Sequence, residues 1–406
     1  MNLWPKPFKK IFNFLKVKHL FGLLLFVAWG CLGQTIPQQE WVDKRMATIP
    51  ADFTTTTAYI ANYIQANFKT DEDKLRAVFY WTTTNIHYDV KNMMAPNTVA
   101  TSQERINKTL KSHKGVCIDY AEVFHAIATD LGLKNYIIEG FTKQGGKVSA
   151  IAHAWCAVQL NGKWYLVDPT WGAGGVQNGI FVKKLNNQFY KVAPEKMVAS
   201  HLPFDYLWQF LQNPITFETF VSGKIQQPPL KRDFDFNKEI LRYNTLSETD
   251  KSIETIARIE ENKFSSSPVI ASYLSVLKKN AALQRQNTAV EKMNAVVANY
   301  NQAIVFLNDF IFYRNKKFKP AVPDEQLERM VKEANERLVQ CQNEVYTVGA
   351  VGPENSANLS NLKSQINLAL KNSEEQLQFV QEYLKKSKLG RKMMFSQLTL
   401  MGVPLR

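Results

Sequence analysis

Apolar residues recur along the first half of this chain in two rhythms, one of three to four residues and one of two. Tyr59, Ile60, Tyr63, Ile64 and Phe68 follow the longer rhythm, as do Leu75, Val78, Phe79 and Trp81 on the way to Ile86. Two amphipathic helices with buried stripes are therefore expected, preceded by a polar lead-in from about Gln34 to Phe53. A polar loop with Pro96 and Asn97 leads to a short helical piece around Ile106 and Leu110. Val116, Tyr120, Val123, Phe124, Ile127 and Leu131 form the next stripe. It predicts a helix beginning at Cys117 and closing on a left-handed cap at Gly132.

Beyond that helix the rhythm shortens to two. Strands are expected from Tyr136 to Thr142, from Ala152 to Leu160 and from Lys163 through Asp168 toward Trp171. A Gln144-Gly145-Gly146-Lys147 turn lies between the first two, and Asn161-Gly162 is a strong hairpin signal between the last two. With Asn161 and Gly162 as the loop, Leu160 faces Lys163, Trp155 faces Asp168 and His153 faces Thr170. His153 and Asp168 are then diagonal neighbours on one face, about 7–8 Å apart at the backbone. Cys156 has the opposite parity and points away from that face. The region from Trp171 to about Phe220 is Gly-rich and then aromatic; structured loops are expected there, with His201 as a hydrogen-bonding loop residue.

Composition changes after a Pro-containing boundary from Gly223 to Asp235. Gln, Asn, Lys, Glu, Ala and Leu then dominate, and helices are expected over Glu248–Lys263, Pro268–Tyr313, Asp324–Thr347 and Leu359–Lys386. Leu327, Val331, Ala334, Leu338, Cys341 and Val345 alternate four and three apart, a heptad seam that makes Cys341 a core residue of a bundle. No repeat of fixed period is evident. The organisation expected is an export segment over 1–33, an α+β domain over 34–222 and a helical domain over 236–406, the last without a readable function and a candidate surface for a protein partner.

The N-terminal expectation rests on charge as well as on pattern. Lys6, Lys9, Lys10, Lys16 and Lys18 precede an apolar run from Leu20 to Ala28, and Cys31-Leu32-Gly33 supplies small residues at cleavage spacing. The run is nine residues, short of the roughly 20 that span a bilayer, so a cleaved signal and a periplasmic or extracellular protein are expected. Membrane attachment follows only on the alternative that Cys31 is lipidated. The formal charge of +14 over 406 residues falls to 14 − 5 = +9 without those lysines, and acids are interleaved throughout. No basic motif with interleaved aromatics stands out, so nucleic acid is not an expected partner. Cys117, Cys156 and Cys341 remain, an odd number that excludes a disulfide scaffold and suits one thiol kept for chemistry. The six histidines are scattered and neither CxxC nor HExxH occurs, so neither a metal nor another cofactor is expected.

Three residues stand out against this background. Cys117 opens a helix, where the partial positive charge of the terminus favours a thiolate, and Gly115 before it is free to take an unusual backbone angle. His153 and Asp168 supply a base and its orienting acceptor. Gly115-Val116-Cys117 with Tyr120-Ala121, His153-Ala154-Trp155, and Trp164-Tyr165-Leu166-Val167-Asp168-Pro169-Thr170-Trp171 resemble the transglutaminase-like superfamily. The resemblance covers about residues 70 to 215. It is strongest to the branch related to kyphoscoliosis peptidase, which Tyr80-Trp81, Tyr88-Asp89, Pro194-Glu195, His201-Leu202-Pro203 and Trp208-Gln209 also resemble.

This resemblance implies a papain-like α+β core with an antiparallel sheet and N-terminal helices. Cys117 is the implied nucleophile, His153 the base and Asp168 the orienter. Cys156 departs from the pattern, because relatives usually carry Asn after His-Ala-Trp. The implied reaction is acyl transfer through a thioester on a peptide or isopeptide amide, hydrolysis being favoured over transamidation. The Cys117 amide would be one oxyanion donor and Trp81 a candidate for the second. The alternative is a non-catalytic, peptide-binding scaffold of the same fold.

Overall fold

In a computed structural model, the structure describes residues 37–94, 100–224, 228–262, 264 and 267–400, with side chains to 395. The expected export segment, Cys31 and the Pro96-Asn97 loop lie outside these residues. The chain from Gln34 to Phe53 is not simply a lead-in. Helix α1 (Gln38–Met46) buries Val42 and Met46, and Asp43 takes a bidentate bond from Arg76 at 2.7 and 2.6 Å. Two apolar positions one turn apart among charges make too short a stripe to read as periodic. Helices α2 (Thr57–Asn67) and α3 (Asp71–Asn85) follow, each capped by a threonine hydroxyl, Thr56 and Thr70. Their expected core residues are buried, apart from Tyr59, which is exposed.

Short strands β1 (His87–Tyr88) and β2 (Lys114–Gly115) pair in parallel on either side of helix α4 (Ser102–Ser112). Helix α5 (Cys117–Asp130) comes next and ends before Gly132, which is left-handed at φ +77° as its position requires.

The sheet consists of β3 (Asn135–Gln144), β4 (Lys147–Val148), β5 (His153–Leu160) and β6 (Lys163–Val167). The β5–β6 hairpin runs from Leu160↔Lys163 to Cys156↔Val167, in the register the Asn161-Gly162 turn predicts. Both turn residues have positive φ, 49° and 77°. The expected strand through Trp171 is corrected, because β6 stops at Val167 and helix α6 (Pro169–Ala173) begins there. Pro169 has no N–H for a ladder, and its fixed φ suits the first position of a helix.

The aromatic segment after it is also more ordered than loops. It contains the β7 (Gly174–Gln177) and β8 (Ile180–Lys183) hairpin, helix α7 (Pro194–Met197) and strand β9 (His201–Pro203), which pairs with β3 at Gly140–Thr142. A Cβ on Gly140 would stand 2.2 Å from the Leu202 carbonyl oxygen and 2.6 Å from Trp155, so only glycine admits β9 at this crossing.

Side-chain parity splits the core. Ala154, Cys156, Val158 and Val167 pack with the α2–α5 helices, whereas Trp155, Ala157, Trp164 and Leu166 pack with Leu207 and Phe210 on the other face. Beyond helix α8 (Phe217–Ser222) the chain is helical: α9 (Phe236–Tyr243), α10 (Glu248–Glu261), α11 (Pro268–Asn315), α12 (Asp324–Val345), α13 (Pro353–Leu384) and α14 (Lys388–Leu400). The sequence pattern did not predict α9 or α14. Leu327 through Val345 form the buried seam expected of α12, Cys341 included. Among the described residues no helix is long and apolar enough to cross a membrane.

Polar and apolar contacts fasten the helical half to the sheet domain, among them the following two. Ile240 of α9 enters the cluster around Trp155 and Trp164, and Arg258 of α10 grips Asp205 through two bonds of 2.8 Å, both side chains buried. Arg258→Met leaves the Asp205 carboxylate buried without its cation, and should lower the unfolding free energy by about 3–5 kcal/mol. Urea denaturation checks this, and Asp205→Leu combined with Arg258→Met should recover much of the loss. A double variant no more stable than the single one would contradict it.

Candidate active site

Cys117 is the first residue of α5, whose start is fixed by local chemistry. Asp119 Oδ2 accepts the Val116 N–H at 2.8 Å, folding its side chain back over the entry to the helix. A Cβ on Gly115 would lie 2.6 Å from that of Asp119, and Gly115 keeps a φ outside the left-handed region. Close approach, rather than the expected unusual angle, is what requires glycine there. Of the three described cysteines, Cys117 is partly accessible and the other two are buried. Cys156 points its sulfur to the Ala121 carbonyl at 3.6 Å on the helix side of the sheet, where burial pushes its thiol far up.

His153 opens β5, and its Nε2 lies 2.8 Å from Asp168 Oδ2. The Cys117 sulfur acts on the charge of the imidazole, whose Nδ1 remains open to it once Nε2 is engaged. Asp168 is reached by more groups than hairpin geometry implies. As the cap of α6 it accepts the N–H groups of Thr170 and Trp171 on Oδ1, at 2.8 and 3.0 Å. On Oδ2 it meets both His153 and His201, the latter through Nε2 at 3.0 Å. His201 is 1% exposed and belongs to β9, not to a loop. Its Nδ1 lies 2.8 Å from Ser200 Oγ, and the rings of Trp155, Trp171 and Phe189 enclose it. Four donors thus converge on one carboxylate with 0% exposure.

Burial alone would lower the His153 pKa, but the Asp168 carboxylate and the Cys117 sulfur outweigh it and push the imidazole up to about 10. Burial alone would raise Asp168, and the two histidines reverse that, holding it well below the usual carboxylate range. For His201 burial prevails over Asp168 and lowers its pKa. A neutral His201 that donates from Nε2 to Asp168 and accepts the Ser200 hydroxyl at Nδ1 satisfies every atom in the chain of bonds. His153, Asp168 and His201 also bring their ligand atoms within 4.8 Å of one another, a spacing a metal ion accepts. Two N–H groups on one carboxylate oxygen account for that spacing by hydrogen bonding.

Cys117 and His153 face a cleft of about 880 Å³. Tyr88 lines it beside them, and burial first, then the nearby Cys117, raises its phenol so that it stays protonated. The β3–β4 hairpin from Thr142 to Lys147 forms one wall, and Gly174–Gln177 of β7 contributes to another. Trp81 does not line the cleft. It is fully buried in the core, and its indole N–H has no hydrogen-bond partner. Glu122, whose sequence position suggests a solvated or capping residue, is buried and accepts from Nε and Nη2 of Arg105, while His125 meets Asn135. Ser200 is not singled out by the sequence, and His201 and Tyr88 stand out there only as a loop residue and through the resemblance, without a place in the site. Their signals are weak because β1 and β9 are two and three residues long.

Residues 58–169 match the profile of the transglutaminase-like superfamily. Kyphoscoliosis peptidase of Mus musculus is 29% identical over 158 residues, covering 37% of this chain and 23% of that protein. The Homo sapiens protein of the same name is also 29% identical, over 37% of this chain and 24% of its own. The Lim and transglutaminase domain protein ltd-1 of Caenorhabditis elegans is 24% identical over 47% of this chain and 27% of its own. The chain therefore spans about a quarter of the length of these relatives. The crystal structure of a TGase superposes with a TM-score of 0.26 at 12% identity, over 59% of this chain and 55% of that one, too loosely to bear on the site.

The shifts at this cluster give opposite pH dependences. The raised His153 stabilises the fold fully below about pH 6.5, and that contribution is lost as pH rises through about 10. The depressed Asp168 stabilises above about pH 3.9 and loses its contribution as pH falls through its native value. In the folded protein, NMR should find the His153 imidazole still charged at pH 8, with a midpoint that Asp168→Asn moves down. A wild-type midpoint near 6.5 would refute the coupling.

Proposed function

The chain carries a transglutaminase-like domain, and on that premise we propose that it is a cysteine-nucleophile acyl-transfer enzyme acting on peptide or isopeptide amide bonds. The observation that carries this reading is that Cys117, at a helix start, and His153, bonded to the buried Asp168, line the same cleft. Cys117 as thiolate attacks the amide carbonyl carbon, and the N–H of its own first-turn position, unpaired within the helix, donates to the oxyanion. His153 passes its proton from Nδ1 to the leaving amine, whose departure leaves a thioester on Cys117. Water attacks that thioester, returning its proton to His153 and freeing the carboxylic acid. An amine attacking instead would give a new amide.

Asp168 keeps Nε2 protonated and stabilises the imidazolium, and His201 positions Asp168 from behind. Tyr88 is a better candidate than Trp81 for the second oxyanion donor, since it lines the cleft with Cys117. Hydrolysis of a peptide or isopeptide bond is the favoured outcome, because choosing an amine over water requires a site specialised for it. Export, expected from residues 1–33, and a protein partner on the helical half belong to the same proposal.

Cys117→Ala should abolish turnover and leave unfolding unchanged. His153→Ala should slow acylation by about 10²–10⁴-fold. His201→Ala should cost about 10–100-fold, the worth of one hydrogen bond to a charged group, and His201→Gln should restore part of it. Alkylation of Cys117 by iodoacetamide at pH 6.5, followed by mass spectrometry, reads the two histidine positions before a substrate is known. A Cys117 no faster than a simple thiol, and indifferent to His153→Ala, would sink the catalytic reading.

A further inference from the structure

The charged side chains that line the cleft have one sign. Lys143, Lys147 and His153 are among its lining residues, and no Asp or Glu is, among the described residues. Asp168 lies behind His153, fully buried, with its charge taken up by the bonds described above. Both lysines belong to the β3–β4 hairpin, on either side of the Gly145-Gly146 turn. Their surroundings differ in a way that matters for recognition. The Lys143 ammonium is bound to the Phe220 carbonyl and sits 4.7 Å over the ring of Phe220, a residue that does not line the cleft, so its charge is held on the far face of the hairpin. Lys147 is exposed at the hairpin's end. The β7 wall, Gly174-Gly175-Val176-Gln177, carries no charge.

A cleft lined by one sign of charge, with low-dielectric walls, focuses its field and concentrates counter-ions at the reacting group. We infer that the cleft selects acyl donors carrying a carboxylate close to the scissile amide, that is, acidic polypeptide segments, with Lys147 as the specificity-determining residue. This rests on the acyl-transfer reading and adds the substrate class to it. An aspartate or glutamate side chain a few residues from the carbonyl attacked by Cys117 meets Lys147. A basic segment would leave its cations facing Lys147 with no acid among the described lining residues to receive them, so like-charge repulsion rejects it.

Iodoacetate and iodoacetamide provide a matched pair of probes, nearly equal in size and differing by one negative charge. The ratio of their rates at Cys117 is to be measured by mass spectrometry in wild type, Lys147→Glu and Lys147→Gln, with Lys163→Glu as a control of equal net charge at the remote hairpin turn. A pair of N-iodoacetyl tripeptides, one with two Glu and the other with two Gln, extends the comparison to peptides. Lys147→Glu should lower the iodoacetate-to-iodoacetamide ratio and the Glu-to-Gln ratio by about tenfold, the low end of the focusing range, and Lys147→Gln by less. Lys163→Glu should leave both within twofold, and added salt should shrink the wild-type preference.

A fall of less than about threefold in Lys147→Glu, or an equal fall in Lys163→Glu, overturns the inference. Because these are ratios, they can be read even if Cys117 alkylates no faster than an ordinary thiol. That slow absolute rate would count against the acyl-transfer reading alone.

Discussion

A carboxylate with no exposure to water survives in its charged form only where donors replace its hydration, and Asp168 meets that condition from four directions. Two of the donors are backbone groups of α6, so the charge also decides where the hairpin ends and a helix begins. The third is the imidazole that faces Cys117. The fourth arrives on β9, a strand that reaches the sheet only because Gly140 leaves room for it. Hairpin, helix start, the imidazole facing Cys117 and the crossing strand are therefore constrained by one buried ion. Removing the ion would leave donors aimed at nothing, in a part of the fold with no water to receive them.

What could be read in advance follows the range of the interactions involved. The stripes of α2, α3, α5 and α12 and the β5–β6 register depend on residues a few positions apart, and they follow from spacing alone. His153 and Asp168 were brought together by a two-residue turn whose chemistry is explicit in Asn161-Gly162. Asp168 as a helix cap was hidden by the strand-like Tyr165-Leu166-Val167 before it, although Pro169 is a local sign that the strand must stop. His201 had no such sign. It lies 33 positions from Asp168 and meets it through the crossing of β9 over β3, a tertiary event that no periodicity encodes. Gly115 shows the same limit, since glycine was foreseeable there but its reason, the returning Asp119 side chain, was not.

The helical half joins this domain through contacts of two kinds. The Asp205–Arg258 pair is directional, and it holds α10 to the turn that follows β9. Phe141, Leu202 and Phe204 of the sheet domain share an apolar cluster with Ile259 of α10 and Ile270 of α11, and Phe204 packs on Tyr273 with ring centroids 4.7 Å apart. The composition shift near residue 230 marks a change in architecture but not the end of packing, because α9 and α10 fold back over the sheet's outer face.

Helix α11 is 48 residues long, a continuous rod of about 72 Å. Its first turns are rooted in the Phe141 cluster, and its later turns carry α12 and α13. The root of this rod therefore packs on Phe141, next to Thr142 in the cleft wall, and on Leu202, next to the His201 that bonds Asp168.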